Sequence, residues 1–283
     1  MIYLLVGVLA LHPTSSVGGH TWSADLRGDL RERHAGPLEA CVHGSRPRAN
    51  GALPDTPLPQ PLQAPSPTVL DKVLTVWRQL RKPANVLILM DTSGSMGQNA
   101  KGHWPYSKTE LTKLDLVQQA HGPLLDGFTD RDRVGLWHFS DEHVTDDDLA
   151  AMGTTQDDGT THRAHIEADV AKLSLDHSTA LYTTIGDAVK TLRDHYDTSA
   201  INAVLVLTDG KNDPPPGGQS DLEGLLSTIS GTDKPVRVFT IAYGADADTT
   251  ALQQIADATH AHAYKASDPN TIANVLTNVV SNF

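Results

Sequence analysis

The sequence predicts an α/β fold: a Rossmann-like three-layer sandwich with a mostly parallel central sheet flanked by helices. Three observations carry this. Two wholly apolar runs, Val86–Met90 and Ala203–Leu207, have the composition of strands covered on both faces. Segments of helical period separate the apolar runs all along the second part of the chain. Each of the two runs ends in a carboxylate next to a small residue or a hydroxyl, Asp91-Thr92-Ser93-Gly94-Ser95 and Thr208-Asp209-Gly210. Ligands of open α/β sheets sit at such strand ends.

The chain changes character near residue 70. Residues 20–50 are rich in Arg, His and Gly and hold no sustained period. Six prolines follow between Gly51 and Thr68, which removes backbone donors and favours an extended linker. Residues 1–70 are therefore expected to be a poorly ordered N-terminal segment with a Pro-rich linker, 71–84 a lead-in helix, and 85–283 the folded domain. Val73, Val76, Trp77 and Leu80 share one face of that helix. Ile2–Leu11 is apolar and small residues follow it. The run fits the core of a signal peptide, and a mis-started N-terminus fits equally, since no Lys or Arg precedes it. Arg27-Gly28-Asp29 is a tripeptide too short to carry weight.

Within the domain, Val86–Met90 is the first strand. Leu114, Val117, His121, Leu124 and Leu125 trace a helical stripe, and Val134–Phe139 is the next strand. The acidic stretch Asp141–Asp148 makes a solvated turn or edge hairpin. Leu181, Ile185, Ala188, Val189 and Leu192 mark an amphipathic helix before the strand Ala203–Leu207. A helix through Leu222–Ile229, a strand over Val236–Ala242, a helix around Leu252–Ala256 and a short strand at His262–Lys265 complete the alternation. A terminal helix carries Ile272, Val275, Leu276 and Val279.

Composition narrows the function. The chain holds 22 basic and 34 acidic residues, a formal charge of −12, which argues against nucleic acid or an anionic membrane as partner. One cysteine excludes an internal disulfide and any Cys-rich metal site. No run reaches the roughly 18 apolar residues of a membrane span.

Asp91, Ser93 and Ser95 alternate just past a strand end, so their oxygens can converge on one volume. Short oxygen ligands without Cys or His suit a hard cation. Ser93-Gly94-Ser95-Met96-Gly97 also imitates a nucleophile elbow, which would make Ser95 a hydrolase nucleophile. A proline-rich linker stands where earlier sheet strands should be, and no Gly-rich oxyanion loop is present. His162-x-x-His165, with His177 farther on, has a spacing that could suggest zinc; no His-Glu-x-x-His accompanies it, and surface helix histidines are the expected reading.

The pattern Asp91-x-Ser93-x-Ser95, together with Thr179 in Thr179-Ala180-Leu181-Tyr182 and Asp209 in Leu207-Thr208-Asp209-Gly210, resembles the metal-ion-dependent adhesion site of von Willebrand factor type A (VWA) domains. The resemblance implies that residues 85–283 are such a domain, not an enzyme. It implies Mg2+ (or Mn2+) held by Asp91, Ser93, Ser95, Thr179 and Asp209, with a protein ligand supplying an Asp or Glu carboxylate. The departure from the pattern is His177-Ser178 before the threonine, where a Gly-rich approach is usual; a histidine there would crowd the site or add pH dependence. From the residues alone, Ser178 or Thr179 would be the N-cap of the following helix. The helix and linker before the domain resemble the junction in bacterial envelope proteins that join a solute-binding region to a VWA domain, which points outside the cytoplasm. A VWA subunit of an intracellular ATPase-linked assembly or metal-insertion complex is the alternative.

Overall fold

The computed structural model describes residues 22–24, 30–32 and 66–266, apart from 100, 108, 219, 232 and 245, together with 272 and 274–276. The Arg27-Gly28-Asp29 tripeptide, the proline-rich segment through Pro65 and Val279 lie outside the described residues. The chain divides into two compact units, 1–76 and 77–283. In the first, β1 (Trp22–Ala24) pairs antiparallel with β2 (Leu30–Glu32). Helix α1 (Pro67–Leu80) follows, and its apolar side chains Val73, Val76, Trp77 and Leu80 are exposed.

The remaining elements are β3 (Ala84–Asp91), α2 (Lys113–Leu125), β4 (Arg133–Phe139), β5 (His143–Ala151), α3 (His162–Val170), α4 (Leu181–Asp194), β6 (Ile201–Thr208), α5 (Leu222–Ile229), β7 (Arg237–Tyr243), α6 (Thr249–Ala258) and β8 (Ala263–Ala266). They build a six-stranded sheet of order β5-β4-β3-β6-β7-β8. Every neighbouring pair is parallel except β4–β5, where the acidic stretch returns as an edge hairpin.

Strand β3 is central, and all eight of its residues are buried. Because side chains alternate, Val86, Ile88 and Met90 enter the core that includes Leu114, Val117 and Leu124 of α2, Ile166 and Val170 of α3, and the buried Ile272 and Leu276. Leu87 and Leu89 enter the opposite core with Leu181, Ile185 and Val189 of α4 and Leu252 and Ile255 of α6. Each such side chain removed from water contributes about 1.5–3 kcal/mol before entropy is counted. That two-sided burial explains why β3 and β6 are uninterrupted apolar runs. His121, expected on the buried stripe of α2, is only half-buried; Ala120 takes that position in the core.

β4 carries Gly135 where the β4–β5 register slips. A Cβ there would lie 2.6 Å from Leu87 Cδ2 and 3.2 Å from the Asp147 carbonyl, so only glycine lets the edge strand close over the sheet.

The topology determines where a ligand can sit. The crossover after β3 leads to β4 on one side, and the crossover after β6 leads to β7 on the other. The chain therefore diverges at the carboxyl ends of β3 and β6, the crevice in which open α/β sheets bind ligands.

Candidate functional site

Asp91, the last residue of β3, and Asp209, the first residue after β6, stand at that divergence and are both fully buried. Beyond Asp91 the chain tightens into a single 3-10 turn, Gly94–Gly97. The turn is anchored by the Ser93 amide, which donates to Asp91 Oδ1 at 2.8 Å. The Thr208 hydroxyl donates to Asp91 Oδ2. The hydroxyls of Ser93 and Ser95 are 3.2 Å apart, and Ser95 donates to Asp209 Oδ1 at 2.6 Å. Asp91, Ser93 and Ser95 thus form one connected cluster with Asp209, 114 positions beyond Ser95.

Thr179 reaches the same place from a third loop. A Cβ built on Gly210 would sit 3.6 Å from Ser95 Oγ and 3.7 Å from Thr179 Oγ1, so the two hydroxyls border the same residue. Thr179 exchanges both backbone hydrogen bonds with Asp213, at 3.0 and 2.9 Å. The Ala180 amide donates to the Ser140 carbonyl, and the Ser178 amide to Asp141 Oδ1.

Neither Ser178 nor Thr179 caps α4. The N-cap is Ala180, without a side-chain bond, and Asn212 from the loop after β6 accepts the Tyr182 amide at 2.9 Å. The cap is supplied from another loop, which relieves Thr179 of that task. The His177 side chain is 88% exposed, with Nδ1 2.6 Å from Asp176 Oδ1, so it does not crowd the cluster. Its carbonyl instead accepts the Gly94 amide and ties the first loop to the second.

Burial pushes the Asp91 carboxyl up to about 6, and the charge of Asp209 adds to the effect; the bonds from Ser93 and Thr208 only partly offset it. On the Asp209 side a cation is already present. Lys113 Nζ donates to Asp209 Oδ2 at 2.6 Å, with both side chains buried. Sequence reasoning missed this lysine. Its one signal was the capping box Thr112-x-x-Asp115, which makes Lys113 the first residue of α2 but says nothing of where its side chain goes. Thr208 gave no sequence signal either, because its partner Asp91 lies 117 positions away on another strand.

The residues behind the other readings have different partners. Ser95 bonds a carboxylate and a hydroxyl rather than a histidine, and it lacks the positive φ of a strained turn, which among described non-glycine residues only His260 adopts. His162 is not a surface histidine: it is buried, and its Nε2–H donates to the Val134 carbonyl at 2.7 Å, fastening α3 to β4. His165 pairs with Asp158 at 3.1 Å. Among the described residues no group of three or more His, Cys, Asp or Glu is placed to hold a metal ion. A cation at the strand ends would therefore rest on two carboxylates and on hydroxyls, a donor set that fits a hard ion such as Mg2+.

The comparisons agree with this architecture. The sequence model of the von Willebrand factor type A domain matches residues 85–278. Among solved structures, the chain is similar to a von Willebrand factor type A protein from Catenulispora acidiphila, with 22% identity and a TM-score of 0.53 over 70% of this chain and 42% of that one. It is similar to proximal thread matrix protein 1 from the mussel byssus, with 18% identity and a TM-score of 0.52 over 71% of this chain and 46% of that one. It is also similar to an aerotolerance-related membrane protein from Bacteroides fragilis, with 15% identity and a TM-score of 0.52 over 71% of this chain and all of that one. The chain spans less than half the length of the first two, and at these identities the likeness shows the fold alone. No curated protein matches by sequence. The family match covers well over half of the chain, so the chain belongs to the von Willebrand factor type A domain family, whose members are generally metal-dependent protein-interaction modules.

Proposed function

We propose that this protein binds a partner protein through a divalent cation, Mg2+ (or Mn2+), held by Asp91, Ser93, Ser95, Thr179 and Asp209. The observation that carries the reading is the linked cluster of two fully buried carboxylates and two serine hydroxyls at the carboxyl ends of β3 and β6. A carboxyl driven up to about 6 by burial and a like charge marks a place short of positive charge.

When bound, the ion supplies a positive centre that accepts a carboxylate from a partner's Asp or Glu. The residues of this chain do the rest. Ser93 and Ser95 offer neutral oxygens, so the site carries less negative charge than a carboxylate cage and leaves a partner carboxylate attractive. The Ser93 amide and the Thr208 hydroxyl fix the plane of Asp91. Beside the cluster, Trp104 and Leu175 close over Gly97, where a Cβ would lie 2.7 Å from each. Both stay exposed, as does Tyr106 nearby in the chain, and they give a partner apolar area to cover around its carboxylate. The role we propose for these groups is binding.

The test is a thermal-melt series in Mg2+, Mn2+ or EDTA on the wild type and on Asp91→Ala. A bound ion raises the melting temperature by mass action, by about 2.7 kcal/mol of stability at a hundredfold excess over Kd. The wild type should shift and Asp91→Ala should not. A wild type indifferent to millimolar Mg2+ and Mn2+ would refute the metal assignment. Partner capture that survives EDTA would refute the mechanism while leaving the fold untouched.

A further inference from the structure

Lys113 stands out among the residues that the proposed metal-binding role does not use. It is the first residue of α2, its side chain is almost wholly buried, and its ammonium is aimed into the site. Three elements hold it there. Its amide donates to the Gln98 carbonyl at 2.7 Å, and Nζ lies 3.4 Å from Gln98 Oε1. Its carbonyl accepts the Tyr243 hydroxyl at 3.3 Å. Gly244, with φ +88°, lets the turn after β7 close over the lysine stem; a Cβ there would be 3.4 Å from Cε and 3.6 Å from Nζ. A lysine is seldom buried without a charged partner, and here the partner is Asp209.

The consequence lies in how Asp209 is shared. Lys113 takes Oδ2 at 2.6 Å, and Ser95 donates to Oδ1 at 2.6 Å, so both oxygens are engaged within the protein. Asp91, in contrast, has only neutral donors. Of the two negative charges in the cluster, one is cancelled by a tethered ammonium.

We infer that Lys113 is a built-in counter-ion that sets the affinity of the site for divalent cations, holding Asp209 in place when no ion is bound and weakening the ion's grip when one is. This rests on the metal-binding reading above. A fixed positive charge at Asp209 repels a second cation bound beside the same carboxylate, and burial keeps solvent from screening that repulsion. The same charge stabilises the ion-free protein, because Asp209 without it would be a buried and uncompensated carboxylate. Lys113 therefore makes the ion exchangeable.

The experiment is direct Mn2+ titration, by calorimetry or by the resonance of free Mn2+, on the wild type, Lys113→Met and Lys113→Gln. Melting temperatures in EDTA and in Mn2+ are read in parallel. Methionine keeps the length of the stem without the charge. Glutamine keeps a neutral N–H donor and covers the case in which the methionine variant does not fold. The expected result is a Kd for Mn2+ at least tenfold lower in the variants, with a lower melting temperature in EDTA and a larger rise on adding Mn2+. Wild-type binding with unchanged or weaker affinity in the variants would overturn the inference and leave the metal site standing. If the wild type and both variants all fail to bind Mn2+, the metal site itself is refuted and the inference with it. Binding by the variants alone would likewise refute a metal site in the wild type and overturn the inference, since no exchangeable ion would then be held beside Lys113.

Discussion

Asp132 and Asp91 are two fully buried carboxylates at opposite ends of the same sheet, and the protein treats them in opposite ways. Asp132, next to the amino end of β4, accepts from both terminal nitrogens of Arg81. It also accepts from the Ala84 amide at 2.8 Å, the Thr129 amide at 2.6 Å and the Thr129 hydroxyl at 2.8 Å. Burial would raise its carboxyl, but Arg81 and these donors overcome it and hold it below the ordinary carboxylate range. Asp91, at the carboxyl end of β3, has two neutral donors and a carboxylate neighbour, and it is driven the other way. One carboxylate is satisfied from within the chain and locks the entry to the domain. The other is left in want of a cation, which is where an ion-binding function fits. Donor supply, not burial, sets the two carboxylates apart.

The largest effect that would sharpen this contrast is Arg81→Ala. Leaving Asp132 buried without its cation should cost about 3 kcal/mol. The loss should be the same in Mg2+ and in EDTA when read by urea unfolding. A loss that depended on the metal would break the separation of the two ends.

Asp91 should behave in the opposite sense when metal is chelated. Its folded carboxyl, near 6, lies above the ordinary 3.8, so the folded protein keeps a proton that the unfolded chain has released. Stability from this group is therefore present below about pH 3.8, declines across the window up to 6, and stays lost above it. In EDTA, Asp91→Asn should gain on the wild type through that window, by up to about 3 kcal/mol at neutral pH. Millimolar Mg2+ should cancel the advantage. A flat difference between the two proteins from pH 4 to 7 would remove the claim that Asp91 lacks a cation.

A third carboxylate gives the smallest effect and an independent check. Asp147, on edge strand β5, is mostly buried, and its Oδ2 has no hydrogen-bond partner among the described residues. Burial pushes it to about 6, the charge of Asp169 adds to this, and His162 and His165 oppose it. The sign is that of Asp91, without any metal in play. Asp147→Asn should stabilise the protein at pH 7 by about 1 kcal/mol, after allowance for its contact with solvent, and should change nothing at pH 3. The gain should be indifferent to Mg2+, as a chemical-denaturation series in each buffer would reveal.

The fold was legible because its signals are local. β3 reads as a strand from Val86–Met90 alone, since a strand buried on both faces must be apolar throughout, and the structure extends it only to Ala84 and Asp91. α4 reads from its apolar spacing, and the acidic stretch after β4 does return as an edge hairpin. The cluster was legible to the same degree: Asp91, Ser93 and Ser95 lie within five residues, and Asp209 ends the other apolar run. Element edges were less legible, as at α4, where a hydroxyl at the expected cap position does no capping. His162 looked like a surface helix residue because nothing in its neighbourhood of sequence shows that Val134 waits 28 positions away.

The sequence by itself determined the alternation of strands and helices, the strand ends at which acidic residues gather, and the acidic balance of the chain. Those properties are short-range, or sums over composition, and need no knowledge of packing. Only the tertiary structure decided that Lys113 meets Asp209 across 96 residues and that Asn212 caps α4 across 30. It also decided that Asp132 is saturated with donors while Asp91 is left wanting. The physical reason is that the energy of a buried charge depends on which donors surround it in space. That neighbourhood exists only once the sheet has brought distant segments together.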